Sequence, residues 1–292
     1  MNELNIETVV QETNPTSLFD RRATDYVKYR PSYPAAAIDT ILKGLGAPSA
    51  LTAADIGAGT GIASRLLAER GAKIISIEPN AAMRAAAAPH PLIDSRNASA
   101  EQTNLPDESV DLVTCFQAFH WFKPQPTLQE FHRILKPSGR LALIWNDWVA
   151  DSDFFAQFGE IIRKAVPNPV PGGKQRGAIN PLWSSPDFVR VRPYKFMHAH
   201  ELDLPGLIGY AQSKSSVPRE GSAHQQLISD LQELHTRWAD SRGIVSLPYC
   251  ASVYLAEPQI HKLNYRKLMP SWLLGKGRKI HQALTAASSL PH

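Results

Sequence analysis

The run Asp55-Ile56-Gly57-Ala58-Gly59-Thr60-Gly61 places three glycines at alternate positions, and Glu78 closes the next apolar run, Ile74-Ile75-Ser76-Ile77. Glycine has no Cβ, so a backbone built on it can turn tightly and approach a ligand closely. A carboxylate at the tip of the following strand is where a doubly wound sheet meets the two hydroxyls of a ribose. Together these residues point to a ligand that carries a nucleoside. The dinucleotide fingerprint requires a further small residue at position 62, and the chain has Ile62 there. A nicotinamide-dependent oxidoreductase is therefore the weaker of the two readings. Further along, Gln117 stands at the carboxyl end of the run Val110–Phe116, where open α/β sheets hold ligands, and His120 and Trp121 follow it. His120 can act as a base near neutral pH or serve as a hydrogen-bonded structural histidine. Trp121 can touch a ligand or fill the core.

These residues need a scaffold, and the sequence supplies one. Strands are expected over 53–56, 73–77, about 92–97, 109–116 and 140–145, with helices over 35–44, 62–69, 81–88 and 125–135 between or before them. The apolar run 73–77 reads as a strand buried on both faces. Gly71 suits the end of one helix, Asn80 the cap of the next, and Lys136-Pro137-Ser138-Gly139 a stop signal. Alternating strands and helices imply a parallel sheet with right-handed crossovers. Beyond residue 150 prolines and glycines crowd 167–186. A strand over 190–196, a helical region over 204–240 and a last strand over 244–255 follow. Pro248 in that strand suggests an edge position or a bulge.

At 292 residues the chain suits one α/β domain with a covering insertion. Its 43% apolar and 20% charged content is ordinary for a soluble globular protein. No apolar run reaches the roughly 20 residues of a membrane span. Residues 1–13 resemble neither a signal nor a transit peptide. Cys115 and Cys250 make no disulfide framework, so reduced thiols in the cytoplasm are expected. The net charge of +4 is carried by the tail, where Lys262, Arg266, Lys267, Lys276, Arg278 and Lys279 meet no acidic residue from 258 onward. The remainder is slightly acidic, which argues against a nucleic-acid groove. The tail is a solvated extension or an element for an anionic partner.

The G-x-G-x-G pattern resembles motif I of the class I S-adenosylmethionine-dependent methyltransferases. Other segments join the resemblance in order. Asn97–Glu101 with Leu105–Val113 looks like the adenine-binding segment leading into the fourth strand, and Ala118-Phe119-His120-Trp121-Phe122 is similar to a run seen after that strand in one branch. Leu135–Gly139 resembles the family's L-K-P-G-G turn, with Ser138 in place of a glycine. Phe19–Tyr26 and Tyr29–Pro34 fit the same branch, the methyltransferase type 11 group with its trans-aconitate methyltransferase-like enzymes. The match covers about 14–256, and the tail after Pro258 departs from it.

The resemblance implies a Rossmann-like seven-stranded, mostly parallel sheet with helices on both faces, an antiparallel last strand and a helical cap. The expected layout is an N-terminal lid (1–36), a cofactor-binding core (37–150), a cap for the acceptor (151–243), a final core strand (244–257) and a basic extension (258–292). S-adenosylmethionine is the implied cofactor, held by Gly57, Gly59, Gly61, Glu78, Gln117, the backbone of Ala100, and Tyr26 and Arg30 of the lid. Asp55 either caps the loop or orients the amino group of the methionine moiety. Trp121, Trp183 and Tyr210 are candidates for the wall around the acceptor, and His120 for a base if one is used. In-line transfer from a sulfonium needs water excluded and the reactants held about 3–3.5 Å apart, but no metal and no covalent intermediate. The acceptor is expected to be a small organic molecule methylated on oxygen or nitrogen, a carboxylate included. A dehydrogenase, or a protein of this fold with a macromolecular partner, is the alternative. The oligomeric state stays open.

Overall fold

The structure is a computed structural model that describes residues 28–149, 152–166, 178–214 and 216–260. Strands β1 (Thr52–Ile56), β2 (Lys73–Ile77), β3 (Ile93–Arg96), β4 (Val110–Phe116), β5 (Leu135–Trp148), β6 (Phe188–Leu202) and β7 (Val245–Pro258) form one sheet in the order β3-β2-β1-β4-β5-β7-β6. Strands β1 to β5 pair in parallel, and β7 runs antiparallel to both β5 and β6. This is the expected mostly parallel sheet with an antiparallel last strand.

Strand alternation divides the core between two faces. Val113, Cys115, Leu141, Leu143 and Trp145 face α4 (Pro124–Ile134) and α6 (Asn180–Trp183). Their neighbours Leu112, Phe116, Ala142 and Ile144 face α1 (Ala35–Leu42) and α2 (Ile62–Ala68). Because both faces are covered, these strands read as nearly unbroken apolar runs. The side chain of Asn80 accepts from the Met83 amide at 2.8 Å and caps α3 (Ala81–Ala86). A third core, around Phe154, Phe158, Leu207, Tyr210 and Leu231, joins α5 (Asp153–Ala165), α7 (Leu204–Gln212) and α8 (Gly221–Trp238) to the start of β7.

Three elements differ from the sequence reading. Strand β5 starts at Leu135, and the register with β4 jumps from Val110↔Leu135 to Leu112↔Arg140, so the Lys136–Gly139 turn is a bulge inside the strand. A Cβ on Gly139 would meet the Lys136 and Asp111 carbonyl oxygens at 2.9 and 3.0 Å, so the bulge needs glycine there. Strand β6 is longer than 190–196, because one flank is open and its exposed positions carry Arg190, Arg192, Met197 and other tolerated residues. Finally, β7 is internal, although it contains Pro248. The proline lies just past the last β5 pair, Trp148↔Tyr249, and its carbonyl accepts from the Val149 amide at 3.2 Å. Its missing N–H points the same way, beyond the end of the β5 ladder, where no donor is required. Among the described residues no helix is long and apolar enough to cross a membrane. Cys115 and Cys250 are free thiols, the first buried and the second partly exposed.

Candidate active site

The glycine loop crosses the carboxyl ends of β1 and β2 with Gly57, Gly59 and Gly61 all left-handed, at φ of 69, 57 and 74°. At Gly57 the requirement is also steric. A Cβ there would stand 2.6 Å from the Ala118 Cβ and 2.8 Å from the Phe122 ring. The amides of Gly57 and Ala58 both donate to the Ile77 carbonyl, at 2.8 and 3.1 Å, which ties the loop to the end of β2. The next residue, Glu78, receives the Gly59 amide on Oε2 at 2.9 Å and the Asn80 amide on Oε1 at 2.8 Å. Its carboxylate is thus fixed at the strand tip, and burial raises its pKa despite those amides.

Asp55 lies behind the loop and is fully buried. Ser64 Oγ on α2 donates to its Oδ2 at 2.6 Å, and Thr114 Oγ1 on β4 donates to Oδ1 at 2.9 Å. Burial is the main cause of its pKa rising from 3.8 to about 6, and the two hydroxyls oppose the rise. Both oxygens therefore join β1 to its neighbours.

In front of the loop opens a cavity of about 960 Å³. Of the residues singled out from the sequence, Arg30, Asp55, Gly57, Gly59, Glu78 and Gln117 line it, as do His120, Trp121 and Tyr210. Gly61, Ala100 and Trp183 do not. Gly61 is the N-cap of α2, Ala100 is buried, and Trp183 sits on α6 with 51% of its surface exposed. Tyr26 lies outside the described residues, as do the rest of 1–27 and the basic tail from 261.

Gln117 adopts φ 53°, a conformation that a non-glycine side chain holds only when its surroundings enforce it. Its Nε2 donates to the Asn146 carbonyl at 2.7 Å. His120 receives the Trp145 indole N–H on Nδ1 at 3.3 Å. Since an indole nitrogen only donates, neutral His120 carries its proton on Nε2. That tautomer offers a donor through Nε2, not a base. Arg30, Pro31 and Tyr33, in the segment before α1, line the cavity. The Tyr29 carbonyl accepts from His200 Nε2 at 3.0 Å, and the Ser32 carbonyl from Asn146 Nδ2 at 3.0 Å. Arg30 Nη2 donates to the Ser213 carbonyl at 3.4 Å. A further cluster joins Tyr210 and Tyr249, hydroxyl to hydroxyl at 2.5 Å, with the Trp148 indole donating to both at 3.1 and 3.0 Å. The Lys214 ammonium sits 4.8 Å from the Trp148 ring centroid and 4.6 Å from that of Tyr210, and burial lowers its pKa.

Residues 54–143 match the methyltransferase domain family. An uncharacterized methyltransferase of Schizosaccharomyces pombe is 30% identical over 203 residues, which cover 69% of this chain and 80% of that protein. One from Mycobacterium tuberculosis is 30% identical over 233 residues, covering 77% and 88%. The chain belongs to the methyltransferase family. The fold agrees with a putative type II methyltransferase from Anaeromyxobacter dehalogenans, at TM-score 0.59 and 24% identity, covering 78% of this chain and 98% of that one. The chain is a methyltransferase, and S-adenosylmethionine is its cofactor. The residues present suit that cofactor: a loop held too close for a Cβ, and beside it a fixed carboxylate at the tip of β2.

Several residues of this methyltransferase's cavity escaped the sequence reading: Trp145, Asn146, Asp147 and Trp148 at the end of β5, with Lys214 and Tyr249. The polar residues ending the apolar β5 run were a usable signal, because ligands gather at the carboxyl ends of parallel strands.

Proposed function

We propose that the protein transfers the methyl group of S-adenosylmethionine to a small organic acceptor, on oxygen or nitrogen. One observation carries this reading: Glu78, pinned by two backbone amides, stands on the same cavity wall as the left-handed glycine loop. The pinned carboxylate is oriented to receive the ribose hydroxyls. The start of α2, whose Ile62 and Ala63 line the cavity, faces the methionine part. Asp55 holds the loop to β4 and α2 through Thr114 and Ser64. Gln117 shapes the floor through Asn146.

The cofactor supplies a sulfonium-bound methyl group, an electrophile that needs no further activation. The chain's own contribution is positioning and the exclusion of water. Residues 29–33, fastened to His200 and Asn146, act as a lid, and Arg30 lines the cavity beneath it. Trp121 and Tyr210 belong to the acceptor wall, with Trp145 and Tyr249 beside them. Trp183, exposed and off the cavity, has no part in it. The segment 151–243 supplies Tyr210 and Lys214 to the wall, which supports its reading as a cap, although β6 within it belongs to the sheet. The reading retains the trans-aconitate methyltransferase-like branch and a cytoplasmic location as its finer parts. Calorimetry with S-adenosylhomocysteine tests it: the wild type binds, and Glu78→Ala binds at least about tenfold more weakly. Binding of NAD in place of the homocysteine derivative overturns it.

A further inference from the structure

Among the described residues three carboxylates line the cavity, and two already accept from donors of the protein. Asp55 has Ser64 and Thr114, and Glu78 has the amides of Gly59 and Asn80. The third, Asp147, is half-buried, and its carboxylate has no hydrogen bond or ion pair with any described residue. Burial alone raises its pKa, with no donor opposing. An ionised carboxylate only accepts, so Asp147 presents its oxygens to the donors of whatever occupies the cavity.

Its neighbours indicate the ligand. On β5, Asp147 alternates with Asn146 and Trp148 and so shares a face with Trp145. Across the ladder on β7, Cys250 stands opposite Asp147 and Ser252 opposite Trp145, with Tyr254 next on that face. The Trp145 and Tyr254 rings meet edge-on at 5.9 Å, and burial first and the charge of Asp147 second raise the pKa of the Tyr254 phenol. Trp145 holds His120, whose ring lies 5.0 Å from that of Trp121. A carboxylate thus ends a continuous aromatic wall. The Lys214 ammonium belongs to the other side, over Trp148 and Tyr210. Aromatic faces joined to one carboxylate select a cation.

We propose that Asp147 binds the amino group of the acceptor, a protonated amine on an apolar or aromatic body, and takes its proton during transfer. This rests on the methyl-transfer reading and narrows its acceptor to nitrogen. One N–H proton passes to an Asp147 oxygen, leaving its electron pair on nitrogen. That pair forms the N–CH3 bond as the S–CH3 bond breaks, with the S–CH3 electrons remaining on sulfur. The products are a methylated ammonium and S-adenosylhomocysteine, and the net charge is conserved.

The test saturates the protein with S-adenosylhomocysteine at about pH 8, where a free carboxylate is ionised and an alkyl amine protonated. Calorimetry then compares 2-phenylethylamine, 2-phenylethanol and 3-phenylpropanoate, which share a ring and differ in head group. The amine is expected to bind at least about tenfold tighter than either other probe. Asp147→Asn brings it to within about threefold of the alcohol and leaves the affinity for S-adenosylhomocysteine unchanged. Equal binding of the three probes, preference for the acid, no amine binding at roughly 10 mM, or weakened S-adenosylhomocysteine binding in the variant each overturns the proposal. Failure of the wild type to bind S-adenosylhomocysteine at all strikes the underlying reading instead.

Discussion

Replacing Asp55 with asparagine separates the two roles open to a buried carboxylate behind a glycine loop. Asp55 has no exposed surface, and its pKa rises from 3.8 to about 6, chiefly through burial. A carboxylate whose folded pKa exceeds its unfolded pKa favours folding below the unfolded value and loses that contribution as pH rises through the folded one. The window here runs from about pH 4 to about pH 6. At about 1.4 kcal/mol per pH unit, the ionised carboxylate costs the folded state about 3 kcal/mol at neutral pH, as an upper bound. Asparagine keeps the shape, cannot ionise, and can still bond Ser64 and Thr114, whose hydroxyls rotate to donate or accept.

Urea unfolding of both proteins at intervals between roughly pH 4 and pH 7.5 measures the effect. Other titrating groups largely cancel in the difference. Asp55→Asn should gain stability relative to wild type as pH rises, by up to about 3 kcal/mol, and the gain should level off above about pH 6.5. A pH-independent difference refutes the argument. The same variant reports on the ligand. With both Asp55 oxygens occupied by hydroxyls, S-adenosylhomocysteine affinity should change by less than about threefold, whereas a loss beyond tenfold would mean that Asp55 meets the methionine ammonium.

Glu78→Ala removes the acceptor for two amides and for the ribose, so its S-adenosylhomocysteine affinity should fall at least about tenfold, or about 1.4 kcal/mol, by calorimetry. Because the raised pKa of Glu78 must be exceeded for it to accept as a carboxylate, wild-type binding should weaken on acidification at a higher pH than an ordinary glutamate would give. In Gly209→Ala the new Cβ would fall 2.3 Å from the Tyr29 ring. Stopped-flow release of S-adenosylhomocysteine should then be severalfold faster, and an unchanged rate would mean that residues 29–33 are no lid. His120→Gln should retain turnover to within about tenfold, with no lost limb in the pH profile, because the Trp145 bond leaves Nε2 protonated. Near-complete loss would restore the base.

What the sequence disclosed and what it concealed follow from how far each feature reaches along the chain. β2 was bounded correctly at 73–77 because burial on both faces turns a strand into an apolar run. The loop and Glu78 were legible because their spacing is local. The Asn80 cap acts only three residues ahead. Asp147, Tyr249, Tyr254 and Lys214 converge only through the pairing of β5 with β7 and the placement of α7, across about a hundred residues. No local periodicity records that. Trp183 looked like a wall residue because its type suits one, and only the packing of Leu182 beneath α6 turned it outward.

The register of β5 connects the fold to the choice of acceptor. Leu135 before the Lys136–Gly139 bulge and Leu141, Leu143 and Trp145 after it lie in one core cluster, with Ala142 and Ile144 in the other, so β5 keeps a single alternation through the bulge. Carried to the end of the strand, that alternation aims Asn146 toward Ser32 and His198, where it fastens the lid segment, and aims Asp147 along the Trp145–Tyr254 wall. A slip of the strand by one residue would exchange the two positions, leaving an amide on the acceptor wall and a carboxylate beneath the Ser32 carbonyl, which needs a donor. The pairing of β5 therefore decides which side chain the acceptor meets.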